Sequence, residues 1–318
     1  MSRVAAIDCG TNSIRLLIAD VAANGASSPL ADVVRDMRVV RLGQGVDATG
    51  ELAPEALERT FAATRDYAEL IKEHGAARVR FAATSATRDA RNRQVFVDGI
   101  RDLLGVEPEV ISGDEEAALS FAGASSVLPA TGEDAILVVD LGGGSTEFVL
   151  GDSNGVIAAR SVDIGCVRLT ERHLRSDPPT SAQIAAAEAD VDAALDLAGQ
   201  AVPLDRATAV VGVAGSITTI TAHALGLSKY QPERIHGASL DLQTISDACT
   251  SLLEMTRDER AALPYMHPGR VDVIGAGALV WRRILDRLST VSHGRITTAV
   301  SSEHDILDGI ALSIRDAE

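Results

Sequence analysis

Ile7-Asp8-Cys9-Gly10-Thr11-Asn12-Ser13, followed by the largely apolar Ile14 to Ile18, is answered later by Val139-Asp140-Leu141-Gly142-Gly143-Gly144-Ser145, followed by Thr146 to Leu150. At a constant offset of 132 positions, Asp8 lies over Asp140, Gly10 over Gly142 and Ser13 over Ser145. Each stretch reads as strand, tight turn, strand: an apolar run ending in Asp, a turn of small residues, then a second apolar run. Glycine lets a backbone approach a ligand closely, and turn N–H groups beside a Ser hydroxyl form a nest for anionic oxygens. Taken singly, either stretch could be an ordinary Asp/Gly hairpin. Two at matched spacing, with a third turn at Val213-Ala214-Gly215-Ser216, point to nests that grip a phosphate group from two sides.

Outward from these turns, strand-like runs alternate with Ala-rich helical stretches, the pattern of an α/β protein. In the first half, strands are expected at 32–42, 78–83 and 109–111, with helices at 54–74, 88–104 and 115–126. The second half restarts with a strand at 135–140. Further strands are expected at 156–162, 207–213 and 296–300, and helices after Gly165, up to Val202, and at 217–225, 240–255, 271–288 and 303–316. Leu128-Pro129-Ala130-Thr131-Gly132 reads as the connection between two domains, 1–126 and 127–302, with the final helix 303–318 a candidate to join the first. At 318 residues the chain is long enough for two such cores.

Composition limits the partners. With 29 basic against 45 acidic residues, the formal charge is −16 and the pI about 4.8. That field repels nucleic acid and anionic membranes, so neither is an expected partner. A phosphorylated ligand needs local arginines or a divalent cation to reverse the potential. Three widely spaced cysteines, Cys9, Cys166 and Cys249, form no disulfide framework, and a reducing cytoplasm is the simpler setting. Met1 to Asp20 lacks the character of a cleavable signal, and no run reaches membrane-spanning length.

The same turns suggest chemistry. Carboxylates of Asp8 and Asp140 cannot touch phosphate without a mediator, which implies Mg²⁺ held partly through water. Glu147, on the strand after the second turn, either adds an acidic group to that ion or is an exposed strand residue. Seven histidines show no metal-ligand spacing. His304 and Asp305, as neighbours on a helix, would point apart and are expected at the surface.

The segment Asp8–Ser13, the segment Asp140–Glu147 and Val213-Ala214-Gly215-Ser216-Ile217-Thr218 resemble the phosphate and nucleotide-side motifs of the actin/hexokinase/Hsp70 superfamily. Ile111-Ser112-Gly113-Asp114-Glu115-Glu116-Ala117 and Thr84-Ser85-Ala86-Thr87-Arg88 narrow the match. With them the whole chain resembles the exopolyphosphatase/guanosine pentaphosphate phosphatase (Ppx/GppA) family in its short form. The resemblance implies two ribonuclease H-like α/β domains enclosing a cleft, and hydrolysis of a terminal phosphoanhydride of inorganic polyphosphate or guanosine pentaphosphate. It implies Glu116 as the base that activates water and Arg88 as the clamp on the terminal phosphate. Asn12, Ser13, Gly143, Gly144, Ser145 and Thr146 would cradle phosphates, with Cys166 of the Gly165-Cys166 element beside them. Asp140 and Glu147, and more weakly Asp8, would hold Mg²⁺, with K⁺ as a candidate companion.

Glu115 and Glu116 also suit a helix start for electrostatic reasons alone, and consecutive helix positions diverge by about 100°, so only one can point inward. A homodimer is expected, with Ala-rich helices of the second half as its candidate face. Two other classes share the turns, a sugar- or acetate-type kinase and a non-catalytic phosphate or alarmone sensor. One departure stands out. Longer relatives carry a Ser-Asp-Gly-x-x-x-Glu-Gly-like element near the final helix, where this chain has Ser301-Ser302-Glu303-His304-Asp305-Ile306-Leu307-Asp308-Gly309.

Overall fold

A computed structural model describes residues 2–22, 30–125 and 135–314. The chain divides into two units: the first runs to Gly123 and resumes at Asp305, and the second is Ala124–His304. The connection anticipated at 128–132 lies outside the described residues.

The first unit holds a mixed sheet of five strands: β1 (Ser2–Cys9), β2 (Ser13–Val21), β3 (Leu30–Val39), β4 (Arg78–Ala83) and β5 (Glu109–Val110), in the order β3-β2-β1-β4-β5. β1, β2 and β3 form an antiparallel meander, and β4 and β5 continue parallel to β1. β1 is central and buried along nearly its whole length, so it reads as a continuous apolar run. Its side chains alternate between two cores. Ala5, Ile7 and Cys9 face one with Tyr67, Phe81 and Phe96, whereas Val4 and Ala6 face another with Ile306, Leu307 and Ile310 of the last helix. The edge strand β3 carries Asp32, Arg35, Asp36 and Arg38, charges that discourage pairing with another chain. The Pro54–Glu73 helix starts with Pro at its first position and buries Leu57, Ala63, Tyr67 and Ile71 along one face.

The second unit repeats this plan. Its strands are β6 (Ile136–Leu141), β7 (Thr146–Asp152), β8 (Gly155–Val162), β9 (Ala209–Val213), β10 (Ser239–Asp241) and β11 (Thr298–Ser301), ordered β10-β11-β9-β6-β7-β8. β6 to β8 form the antiparallel meander, and β9 and β11 follow in parallel. Even the irregularities repeat: the β2–β3 register shifts between Ile18 and Ala19, and the β7–β8 register between Leu150 and Gly151. These pairs stand at the same offset of 132 as the turns. The Ser181–Ala201 helix opens with a Thr180/Gln183 capping box. Glu188–Arg282, Asp192–Arg283 and Asp196–Arg287 link it to the Ile274–Val291 helix. All three pairs are at least partly exposed, so each is worth at most about 1 kcal/mol; the burial of Leu195, Ala198, Trp281 and Leu285 carries the contact.

Three expectations change. The helix expected over 88–104 is two, Ser85–Asp89 and Arg93–Leu104, because Ala90 is extended and the Asn92 side chain bonds both N–H and C=O of Leu52. The last helix begins at Ile306, since Asp305 has an extended backbone and caps it through Leu307 N–H. Asp305 is therefore not a surface residue. It is buried, with its carboxylate on Arg15. The edge strand β10 and the short helices Pro232–Ile235 and Arg257–Ala261 are additions.

Candidate active site

Both turns close in the same way. Gly10 N–H donates to Ser13 C=O at 3.0 Å, and Gly142 N–H donates to Ser145 C=O at 3.0 Å. Their remaining carbonyls are engaged from outside. Thr11 C=O accepts from Gly43 N–H, and Asn12 C=O accepts from both Val40 and Arg41. Gly142 C=O accepts from Cys166, Gly143 C=O from Val167 and Arg168, and Gly144 C=O from the Arg168 guanidinium at 2.7 Å. By contrast, no hydrogen bond among the described residues uses the N–H groups of Thr11, Asn12, Gly143, Gly144 or Ser145. A turn whose acceptors are engaged and whose donors are left over is suited to anionic oxygens. Two close contacts hold these shapes. A Cβ on Gly165 would lie 2.4 Å from Gly143 O, and one on Gly43 would lie 2.3 Å from the Thr11 methyl carbon. Arg41 holds a left-handed backbone, φ 51°, while it bonds Asn12.

Charge is where the turns part. Asp8 pairs across the hairpin with Arg15, and Asp140 pairs at the equivalent place with Glu147. In the first turn Arg15 Nε and Nη2 donate to Asp8 Oδ2 at 2.9 and 2.6 Å, and Nη1 donates to Asp305. Burial opposes the charge of Arg15, and the carboxylates of Asp305 and Asp8 more than offset it, raising its pKa. Burial pushes the Asp8 carboxyl above its usual range, with Arg15 pulling the other way. In the second turn two carboxylates are cross-strand neighbours, with Asp140 6% and Glu147 1% exposed. Ser161 Oγ donates to Glu147 Oε1 at 2.6 Å. Like charges at paired strand positions are unfavourable, and an all-oxygen set of this kind suits a hard divalent cation. No group of three or more His, Cys, Asp or Glu is placed to hold a metal among the described residues. Such an ion would complete its shell with water or ligand oxygens.

Arg88 and Glu116 come together in the first unit. The Ser85–Asp89 helix starts directly on the first turn: Thr84 N–H donates to Cys9 C=O at 3.1 Å, and the Thr11 and Ser85 hydroxyls are 2.9 Å apart. One turn on, Arg88 Nη1 donates to Glu116 Oε2 at 3.0 Å and to Ile111 C=O at 3.1 Å. No partner for its Nε or Nη2 occurs among the described residues, so most of the guanidinium fork is unused. Of the acidic pair at the head of the Gly113–Ala124 helix, Glu116 is buried at 7% exposure. Glu115 instead turns to Arg80 at 2.6 Å.

The third turn brings in a residue that the sequence reading passed over. A Cβ on Gly215 would lie 2.1 Å from Arg270 Nη2, so the guanidinium lies directly on this glycine and donates to Thr219 Oγ1 at 3.1 Å. Arg270 has no carboxylate partner among the described residues, although acidic residues outnumber basic ones. Its signal in the sequence was weak, because Gly215 and Arg270 are far apart along the chain. Cys166 heads the Cys166–Arg172 helix, its N–H engaged by Gly142. Burial pushes its thiol pKa up, with a Ser216 hydrogen bond opposing. Its hydrogen bond to the turn is made by the backbone N–H. Thr146 likewise turns its hydroxyl to Ile164 C=O at 2.7 Å.

Known proteins resemble this chain in sequence and fold. The model of the Ppx/GppA phosphatase family matches residues 17–314. Exopolyphosphatase 2 of Mycobacterium tuberculosis is 52% identical over 319 residues, covering 99% of both chains. A solved exopolyphosphatase-like protein superposes with a TM-score of 0.93 at 48% identity, over 99% of this chain and 100% of that one. The exopolyphosphatase of Cytophaga hutchinsonii superposes with a TM-score of 0.86 at 26% identity, over 100% of this chain and 99% of that one. On the match of the family model and the full-length relative, this chain belongs to the Ppx/GppA phosphatase family.

Proposed function

We propose that this chain is an exopolyphosphatase that hydrolyses the terminal phosphoanhydride of inorganic polyphosphate and favours short chains. The observation that carries this reading is the Arg88–Glu116 contact at the end of a helix that starts on the first turn. Glu116 takes the proton of the attacking water as the water oxygen bonds to the terminal phosphorus; the bridging P–O bond breaks, its oxygen and electron pair leave with the shortened polyphosphate, and the terminal group is released as orthophosphate. Arg88 holds the terminal phosphate through its unused donors and neutralises charge in a loose transition state. In the first unit the Asn12 N–H and the Ser13 hydroxyl are donors for phosphate oxygens, and in the second unit the N–H groups of Gly143, Gly144 and Ser145 are. In the second unit Arg270 adds a cation at the third turn.

Asp140 and Glu147 fit Mg²⁺, which when bound would neutralise phosphate charge. Asp8 is left out of that set, because Arg15 already serves as its cation. The setting in this reading is a reducing cytoplasm, where the three free cysteines stay reduced. Its assembly is a homodimer, checked by light scattering, with exposed Val156, Ile157 and Leu197 as a candidate face.

The test is phosphate release, without any acceptor, from short polyphosphate, long polyphosphate and guanosine pentaphosphate, with and without Mg²⁺. Release that is fastest on short polyphosphate and depends on Mg²⁺ is expected. Rates rising steadily into chains of hundreds would remove the short-chain preference. Faster release from guanosine pentaphosphate would favour the family's other activity, and phosphorylation of an acceptor alone would place the chain with the kinases.

A further inference from the structure

The segment that departs from longer relatives, Ser301 to Gly309, holds a residue that touches both halves of the proposed chemistry in the first unit. Asp305 turns its carboxylate to Arg15, whose other nitrogens hold Asp8 beside the first turn. The backbone of the same residue lies on the helix that carries Glu116: a Cβ on Gly123 would lie 1.8 Å from Asp305 O. The two helices meet again where a Cβ on Gly309 would lie 2.0 Å from Leu119 O. Contacts this close leave the Gly113–Ala124 helix little freedom to slide or rotate on the last helix. Gly123 lies two turns beyond Glu116 on the same helix face, about 10 Å along the axis. Asp305 is itself fixed, since its Oδ1 accepts from Leu307 N–H at 3.0 Å and its own N–H donates to Asp308. Asp308 in turn pairs with Arg35 of β3 at 2.6 Å.

We infer that Asp305 and Arg15 are positioning residues, which set Glu116 relative to the first phosphate turn by locking the Glu116 helix to the hairpin that bears Asp8. This rests on the reading of Glu116 as the base. Asp305 and Arg15 touch no substrate; they act through the placement of the Glu116 carboxylate. A displacement of about 1 Å at a reacting group can cost up to about a hundredfold in rate, and a lock of this kind controls displacements of that size.

Asp305→Asn is the sharpest probe. Asparagine caps a helix as well as aspartate does, so this change keeps the last helix and removes only the charge facing Arg15. Arg15→Lys is the second variant, because a single ammonium cannot replace a fork that spans two carboxylates. Each is assayed for phosphate release on short polyphosphate, alone and combined with Glu116→Gln, alongside thermal unfolding. Each single variant is expected to lose about tenfold or more in kcat with KM within about twofold, and to add less than about twofold to the loss in Glu116→Gln. Wild-type kcat in either folded variant, or an equal loss in the Glu116→Gln background, would overturn the inference. A fully active Glu116→Gln protein would instead overturn the assignment of the base. If Asp305→Asn fails to fold, Arg15→Lys decides by the same criteria.

Discussion

The hairpins at Asp8 and Asp140 have the same strand pairing, the same Gly-to-Ser closure and the same register shift five residues after the turn, yet differ in the charge opposite the aspartate. The first has Arg15 there and the second Glu147. The backbone repeat supplies two turns of one shape, and one side chain in each decides how its aspartate is balanced. In the first unit the cation is part of the chain, held between two buried carboxylates. In the second the chain places two buried carboxylates side by side, the pair proposed to take a divalent cation. A symmetric fold thus has an asymmetric chemistry: Arg88 and Glu116 are attached to the first turn, and the proposed metal belongs to the second.

The largest effect expected is on rate. Glu116→Gln should lower kcat for phosphate release by about 10²–10⁴, the usual contribution of a placed general base. A smaller loss, read in steady-state assays of a folded protein, would move the base elsewhere. Next comes Arg15→Glu, which gives the first hairpin the acidic pair of the second. Here the acid meets Asp305 as well as Asp8, and no resident cation remains. Breaking a buried pair in this way costs about 3–5 kcal/mol, measured by denaturant unfolding with and without Mg²⁺. Rescue by Mg²⁺ would show that the turns differ by that residue alone.

A subtler contrast compares the glycines. A Cβ on Gly142 would lie 3.0 Å from Ser145 O, and one on Gly10 3.6 Å from Ser13 O. Gly142→Ala should therefore destabilise by about 1–2 kcal/mol and Gly10→Ala by less, by analogy with overpacking in cores; equal losses would argue that the two turns are equally tight. The smallest effect is on pH dependence, and it belongs to the second unit. Burial lowers the pKa of His223 and of His267 below 6.5, for His267 with repulsion from Arg270 added. Each imidazole takes up its proton at a lower pH in the fold than in the unfolded chain. Stability should be complete above about pH 6.5 and fall as pH drops below it. His223→Gln should flatten that fall in thermal melts across the same range.

Much of this architecture was legible in the sequence, because a turn of Asp, Gly and Ser between apolar runs repeats at one fixed offset. The strands and most helices follow from periodicity, and β4 at Arg78–Ala83 matches its expected bounds. Identities across the repeat locate the turns, whereas their charge is decided by a difference, Arg15 against Glu147 at equivalent paired positions. Asp305 was misplaced for a local reason. Taken as a helical neighbour of His304 it points outward, but its extended backbone turns the carboxylate inward to Arg15. Arg270 escaped notice because its partner, Gly215, is a glycine that accepts a guanidinium only through close packing in three dimensions.

The central claim is that the second turn, and not the first, takes the metal. Titration of Mn²⁺ into the wild-type protein, Asp8→Asn and Asp140→Asn, followed by electron paramagnetic resonance, tests it without recourse to activity. One site per chain, kept in Asp8→Asn and lost in Asp140→Asn, is the predicted result. Loss of that site in Asp8→Asn, or its survival in Asp140→Asn, would contradict the account.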